Sequence, residues 1–162
     1  MLNNARIFPP VCLSIAILDL LRGKLRISRE FVGRETRIDD AQVFTIFRQI
    51  KRRKPEFSEA HITYVVRFKF ARLSHQANKL ASIIPMLLIA GFPGFVQKLY
   101  AVNKENGYWL GMYEWKSARH LKVYKRSFVY RMMNRRAQKG TVQSRTISDG
   151  RLSDLIEPDK GH

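Results

Sequence analysis

The chain has 162 residues, enough for one domain of ordinary size with some residues left over. Its 45% hydrophobic and 11% aromatic content supports a packed core and excludes a disordered chain. With 30 basic against 13 acidic side chains the formal charge is +17, and such a surface attracts polyanions: nucleic acid, acidic lipid headgroups or anionic small molecules. The lone Cys12 excludes an internal disulfide and a cysteine-based metal cage, and makes a reducing, cytoplasmic compartment the default.

Residues 1–60 read as an N-terminal extension. Pro9-Pro10 followed by VCLSIAILDLLRGKL predicts a short helix over 11–22 that ends at Gly23. Asp19 interrupts its apolar run, no small-residue cleavage site follows, and the run is too short to span a bilayer. Apolar positions lie round much of its circumference, so it needs cover from the domain, a partner subunit or a membrane surface. The basic stretch GKLRISREFVGRETRIDD has no clear periodicity. AQVFTIFRQI, residues 41–50, fits both a strand and a helical face, and Lys51-Arg52-Arg53-Lys54 before Pro55 closes it.

HITYVVRFKFA, residues 61–71, predicts a strand with Ile62, Tyr64, Val66, Phe68 and Phe70 on one face and His61, Thr63, Val65, Arg67 and Lys69 on the other. The first face should meet helices; the second should meet water or another subunit. A helix capped by Ser74 is expected to about residue 90, turning Leu80, Ile83, Ile84, Leu87 and Leu88 inward, with Pro85 kinking or splitting it. Pro93-Gly94 then forces a turn. FVQKLYAVN and YWLGMYEW, separated by Lys104-Glu105-Asn106-Gly107, read as a β-hairpin. Ser117 opens a second helix to about residue 138, with Leu121, Tyr124, Phe128 and Met132 as its inward stripe and basic side chains elsewhere. TVQSRTI, residues 141–147, reads as a fourth strand, and residues 149–162 read as a mobile tail. Strand, helix, hairpin, helix, strand over residues 61–148 is an α+β, ferredoxin-like βαββαβ domain.

Pro93-Gly94-Phe95, Lys98, Tyr100, Gly111-Met112-Tyr113, Trp115 and Tyr124 together resemble the YdhR-like, monooxygenase-related family of the dimeric α+β barrel superfamily. This superfamily also holds the antibiotic-biosynthesis monooxygenases. The resemblance covers roughly residues 61–148 and leaves the first sixty unmatched. It implies a homodimer packed sheet to sheet, with an apolar pocket between sheet and helices in each subunit. Some members oxidise aromatic substrates with oxygen and no cofactor, some degrade haem, and others have no known activity, so the fold alone does not decide function.

The residues themselves carry no Gly-rich phosphate loop, no paired carboxylates at a useful spacing and no zinc-ligand set. His75 and His120 are the only histidines on the helical side, and both read as exposed residues near helix starts rather than haem or metal ligands. The resemblance requires an apolar pocket, for which Tyr64, Phe68, Tyr100, Trp115 and Tyr124 supply aromatic surface. Gly111 leaves space where a ligand can approach the sheet, or marks a β-bulge. The same aromatics also suit a plain core or dimer interface. Glu114 and Tyr113 are the catalytic candidates. Glu114 is the only acid in a strand, suited to an ion pair with Lys98 or Arg67 across the sheet, or to a general base. The expected function is binding of a small apolar or aromatic molecule, as in a cofactor-independent monooxygenase, without specific nucleic-acid recognition. The alternative is a non-catalytic basic protein that contacts an anionic partner or lies peripherally on a membrane.

Overall fold

A computed structural model describes residues 8–37, 42–54, 61–71 and 74–158. Helix α1 (Pro9–Leu21) begins with two prolines, which suit the first turn because its N–H groups have no intrahelical partner. Two short strands, β1 (Leu25–Ser28) and β2 (Glu35–Arg37), occupy the basic stretch that lacks periodicity. The ambiguous segment after them is a ten-residue strand, β3 (Val43–Arg52). Then come β4 (Ile62–Phe68), α2 (His75–Ala81), α3 (Ile83–Ala90), β5 (Phe95–Val102), β6 (Trp109–Trp115), α4 (Ala118–Lys125), α5 (Phe128–Arg136) and β7 (Gln143–Ser148).

In the sheet, β5 pairs β6, β6 pairs β4 and β4 pairs β7, all antiparallel. Numbered within the βαββαβ unit, the spatial order is fourth, first, third, second. That is the ferredoxin-like arrangement expected from the sequence. The strands described before residue 61 continue the same sheet: β3 pairs with the free edge of β5, and β1 and β2 both pair with β3, giving seven strands among the described residues. Covering the long apolar edge of β5 removes a pairing hazard.

The helices lie on one face. Alternation sends Tyr64, Val66 and Phe68 of β4, Tyr100 and Val102 of β5, and Trp109, Tyr113 and Trp115 of β6 into the core beneath them. Helix α1 packs on α3 through Cys12 and Ala16, both fully buried. The approach is so close that a Cβ on Gly91 would stand 1.9 Å from the Cys12 carbonyl oxygen, so only glycine fits there.

Both helical segments expected to be continuous are broken. Ser82 ends α2, three residues ahead of Pro85, which sits in the first turn of α3 where it is tolerated. The break rotates the buried face: Met86, Leu88, Ile89 and Ala90 point inward, whereas Leu80 and Ile84 are exposed. Likewise α4 stops at Arg126, and Ser127 accepts the Tyr130 N–H at 3.1 Å to start α5. Leu121 and Tyr124 are buried as expected, but Phe128 is outside.

The other sheet face is covered by the chain itself. Phe44, Ile46, Val65, Leu99, Ala101, Leu110 and Met112 form a second cluster, closed by Leu152 and Ile156. Residues 149–162, expected as a mobile tail, therefore pack as far as they are described. A 3-10 helix (Leu152–Leu155) crosses the face, Thr36 donates its hydroxyl to the Leu155 carbonyl, and Ile156 bridges to Thr36. The physical reason is apolar: Leu152 and Ile156 remove their own side chains and the sheet beneath them from water, about 1.5–3 kcal/mol each. Val65, expected at a subunit interface, is already only 2% exposed within the single chain.

Candidate functional site

The aromatic candidates converge. Tyr64, Phe68, Tyr100, Tyr113, Trp115 and Tyr124 are all buried on the helix-facing side of the sheet. Register explains why: Tyr64 pairs with Tyr113, and Tyr113 with Lys98, so all three stand in one row across β4, β6 and β5. From the helices, the Tyr124 ring stacks on Trp115 at 5.0 Å and lies 5.6 Å from Tyr113. Tyr130 of α5 meets Tyr124 edge-on at 5.5 Å, and its hydroxyl lies 3.3 Å from that of Tyr64. Burial holds the phenols of Tyr64, Tyr100, Tyr113 and Tyr124 protonated well past neutral pH, so they act as hydrogen-bonding groups and not as bases.

Between this cluster and α5 lies a void of about 20 Å³, lined by Tyr64, Tyr113, Tyr124 and Tyr130 among others. That is room for one water molecule. A void of that size does not admit an aromatic ring, so a guest enters here only if a wall moves. Helix α5 forms one wall and buries only Val129 fully.

Gly111 does not leave an open space. A Cβ there would meet the Tyr113 ring at 2.9 Å and Val66 at 3.3 Å, and the pairing on both sides runs through it without a bulge. The missing side chain makes room for Tyr113. Glu114 lies on the opposite face of β6 from Tyr113, so the two catalytic candidates are not in one site. It accepts from Gln97 Nε2 at 2.7 Å and stands 3.8 Å from His61 Nδ1, instead of pairing with Lys98 or Arg67. One-residue alternation separates them: Lys98 shares a face with Tyr113, and Gln97 with Glu114.

Lys98 is the group that the sequence reading placed wrongly. It is 1% exposed, on the aromatic face, with Nζ 4.0 Å from the Tyr100 ring centre and 4.2 Å from that of Tyr113. The rings favour the cation. Burial first, then the charges of Arg48 and Arg136, work against it and hold the amine well below the ordinary lysine value. Arg48 reaches this side of β3 next to a bulge at Phe47, pairs in register with Tyr100, and donates to Ser82 Oγ at 2.7 Å and the Lys79 carbonyl at 2.9 Å. Arg136, at the end of α5, donates to the Ala81 carbonyl at 3.3 Å, while its Nη2 and the Tyr100 hydroxyl are buried without a hydrogen-bond partner. The signal for Lys98 was present in its spacing, two residues before Tyr100 on one strand.

A second region is an open cleft of about 830 Å³ at the end of the sheet, beside the Pro93-Gly94 turn. Lys24, Arg52, Arg53, Lys54 and Lys116 surround it; Arg52 is held by Asp19 at 2.8 Å. His120 lies at its edge with Nδ1 2.8 Å from Ser117 Oγ, and burial together with Lys116 and Arg119 pulls its pKa down. The side chain of His75 lies outside the described residues. Among the described residues no three His, Cys, Asp or Glu side chains group as a metal site, and no helix is long and apolar enough to cross a membrane.

No protein-family model and no curated protein matches the sequence. Among solved structures, one described as a "putative monooxygenase" from Fusobacterium nucleatum subsp. nucleatum matches over 66% of this chain and 49% of its own, at 9% identity and a TM-score of 0.49. An "anthrone oxidase-like protein" matches over 68% of this chain and 57% of its own, at 13% identity and a TM-score of 0.44. The chain thus spans about half the length of these two proteins. Likeness at this level bears on neither substrate nor chemistry; the fold stands on the strand order of the sheet itself.

Proposed function

We propose that this protein binds a small apolar or aromatic molecule between its sheet and α5. The supporting observation is the ring of Tyr64, Tyr113, Tyr124 and Tyr130 round the small void between sheet and α5. Planar guests suit such walls because ring pairs gain about 0.5–1.5 kcal/mol beyond their buried area. Helix α5 moves outward as the guest enters. The catalytic extension is that of the YdhR-like resemblance, oxidation by molecular oxygen without a cofactor. Such chemistry needs an electron-rich substrate, because its own electrons must reduce the oxygen atom that leaves as water. Tyr113 and Tyr124 would then orient the substrate by hydrogen bonding.

The test is titration with 2-naphthol and naphthalene, followed by quenching of the tryptophan fluorescence of Trp109 and Trp115, with an oxygen electrode for turnover. Saturable quenching below about 1 mM that Tyr124→Leu weakens at least about tenfold supports binding. No saturation in either ligand sinks it. Binding without oxygen uptake removes the oxidative extension alone.

A second reading is a basic protein on an anionic partner or membrane face. It is favoured by the basic cleft and by the exposed side of α1, where Phe8, Ile17, Leu18 and Leu21 face outward.

A further inference from the structure

A buried lysine without a carboxylate is an anomaly to be explained. Lys98 could be replaced by methionine of similar length without an unpaired polar group, yet the chain keeps an amine at the bottom of an aromatic cluster. It also keeps two guanidinium groups beside it. The described ion pairs join Arg37 to Glu157, Lys51 to Glu30, Arg52 to Asp19 and His61 to Glu114; none involves Arg48, Lys98 or Arg136. Arg48 and Arg136 both act on Lys98 and Tyr100 at this place, and no carboxylate among the described residues is paired with them.

The polar valences are also left open. The Tyr100 hydroxyl and Arg136 Nη2 are shielded from solvent and unpaired, and the Lys98 amine lies over the Tyr100 and Tyr113 rings. Each unmade bond of this kind costs about 1–3 kcal/mol, so these two beside a buried amine call for a ligand that makes them. The arginines themselves are only half-buried, so their guanidinium groups link this buried cluster to the surface at the end of α2. A planar anion suits the donors: guanidinium groups take two oxygens side by side, and the hydroxyl and amine supply the inner contacts.

We propose that the ligand carries an acidic group, a carboxylate or an ionised phenol, and that Lys98, Tyr100, Arg48 and Arg136 receive it while its ring lies among the tyrosines. This rests on the aromatic-ligand reading above. Binding of the anion supplies the missing countercharge and so favours the charged form of Lys98.

The experiment compares 2-naphthoate with 2-naphthamide, which has the same shape and no charge, on the wild-type chain, Lys98→Met, Tyr100→Phe and the surface control Arg131→Gln. The naphthoate should bind at least about tenfold more tightly than the amide. Lys98→Met should abolish that preference while leaving amide binding in place, Tyr100→Phe should reduce it, and Arg131→Gln should leave it unchanged. The Lys98 side-chain resonance should titrate at higher pH with naphthoate bound. Equal affinity for acid and amide overturns the anion site and leaves the aromatic reading standing. A preference for the acid that survives Lys98→Met belongs to the general surface charge and also overturns it. If neither compound binds, the aromatic reading falls and this inference falls with it.

Discussion

Lys98 sits between two phenol rings with two arginines nearby, and its charged form is disfavoured in the fold. In the unfolded chain it keeps its proton up to the ordinary lysine value. Between the lowered and the ordinary pKa the unfolded chain therefore binds more protons, and the contribution of this residue to stability rises with pH across that window. Below it the penalty is complete. Lys98→Met should raise stability by about 1–3 kcal/mol near neutral pH, and the gain should shrink as the pH approaches the ordinary lysine value. Urea unfolding of both chains at the two ends of that window measures it; a gain that does not change with pH would place its origin outside Lys98 ionisation. Gly111 makes the opposite case. With the Tyr113 ring 2.9 Å from the position of a Cβ, Gly111→Val should destabilise by about 1–3 kcal/mol through overpacking. A calorimetric melt unchanged from wild type would show that Tyr113 swings aside.

At the scale of elements, the decisive one is the segment after β7. It seals the face of the sheet opposite the helices, where Leu99, Met112 and Leu110 would otherwise meet water. Removing residues 149–162 should lower the melting temperature and expose a continuous apolar face, which in turn should drive self-association. Sedimentation velocity on the full and shortened chains reads this directly. A shortened chain with unchanged stability and the same sedimentation coefficient per mass would show that the strap contributes nothing. The homodimer implied by the family resemblance is a proposal that has to accommodate this strap: pairing through the sheet face requires either its displacement or its inclusion in the interface.

For the whole molecule, the charge of +17 and the enclosed aromatic cluster predict opposite responses to salt. Binding to nucleic acid or acidic vesicles releases counterions and falls steeply as salt rises. Joint replacement of Arg131, Arg135 and Arg136 by Gln should weaken such binding, whereas Trp115→Leu should not. Entry of an uncharged aromatic guest between sheet and α5 should respond little to salt and strongly to the aromatic change. We expect titration with 2-naphthol to show the second pattern. Tight, salt-sensitive vesicle binding with no naphthol response would favour the basic-surface reading.

Local chemistry was enough for the βαββαβ order. Alternation in residues 62–68, the Asn-Gly at the hairpin tip and apolar spacing after Ser117 are all properties of neighbours in sequence; the strand and hairpin formed there, and the helix began there but broke before residue 128. The same alternation already separated Glu114 from Tyr113. What required the third dimension were contacts between residues far apart in the chain. The edge of β5 recruited β3 from the segment 41–50 that read equally as strand or helix, because a strand pairs with a partner and not with a periodicity. Two helices broke, at Ser82 and at Ser127, and only the second break is capped by the serine side chain. The apolar outer face captured residues that read as a tail. Lys98 acquired its character only when Tyr100 and Tyr113 closed round it and Arg48 and Arg136 arrived from other elements. Burial and the field of distant charges decide what an amine does, and neither is written in its own neighbourhood of the sequence.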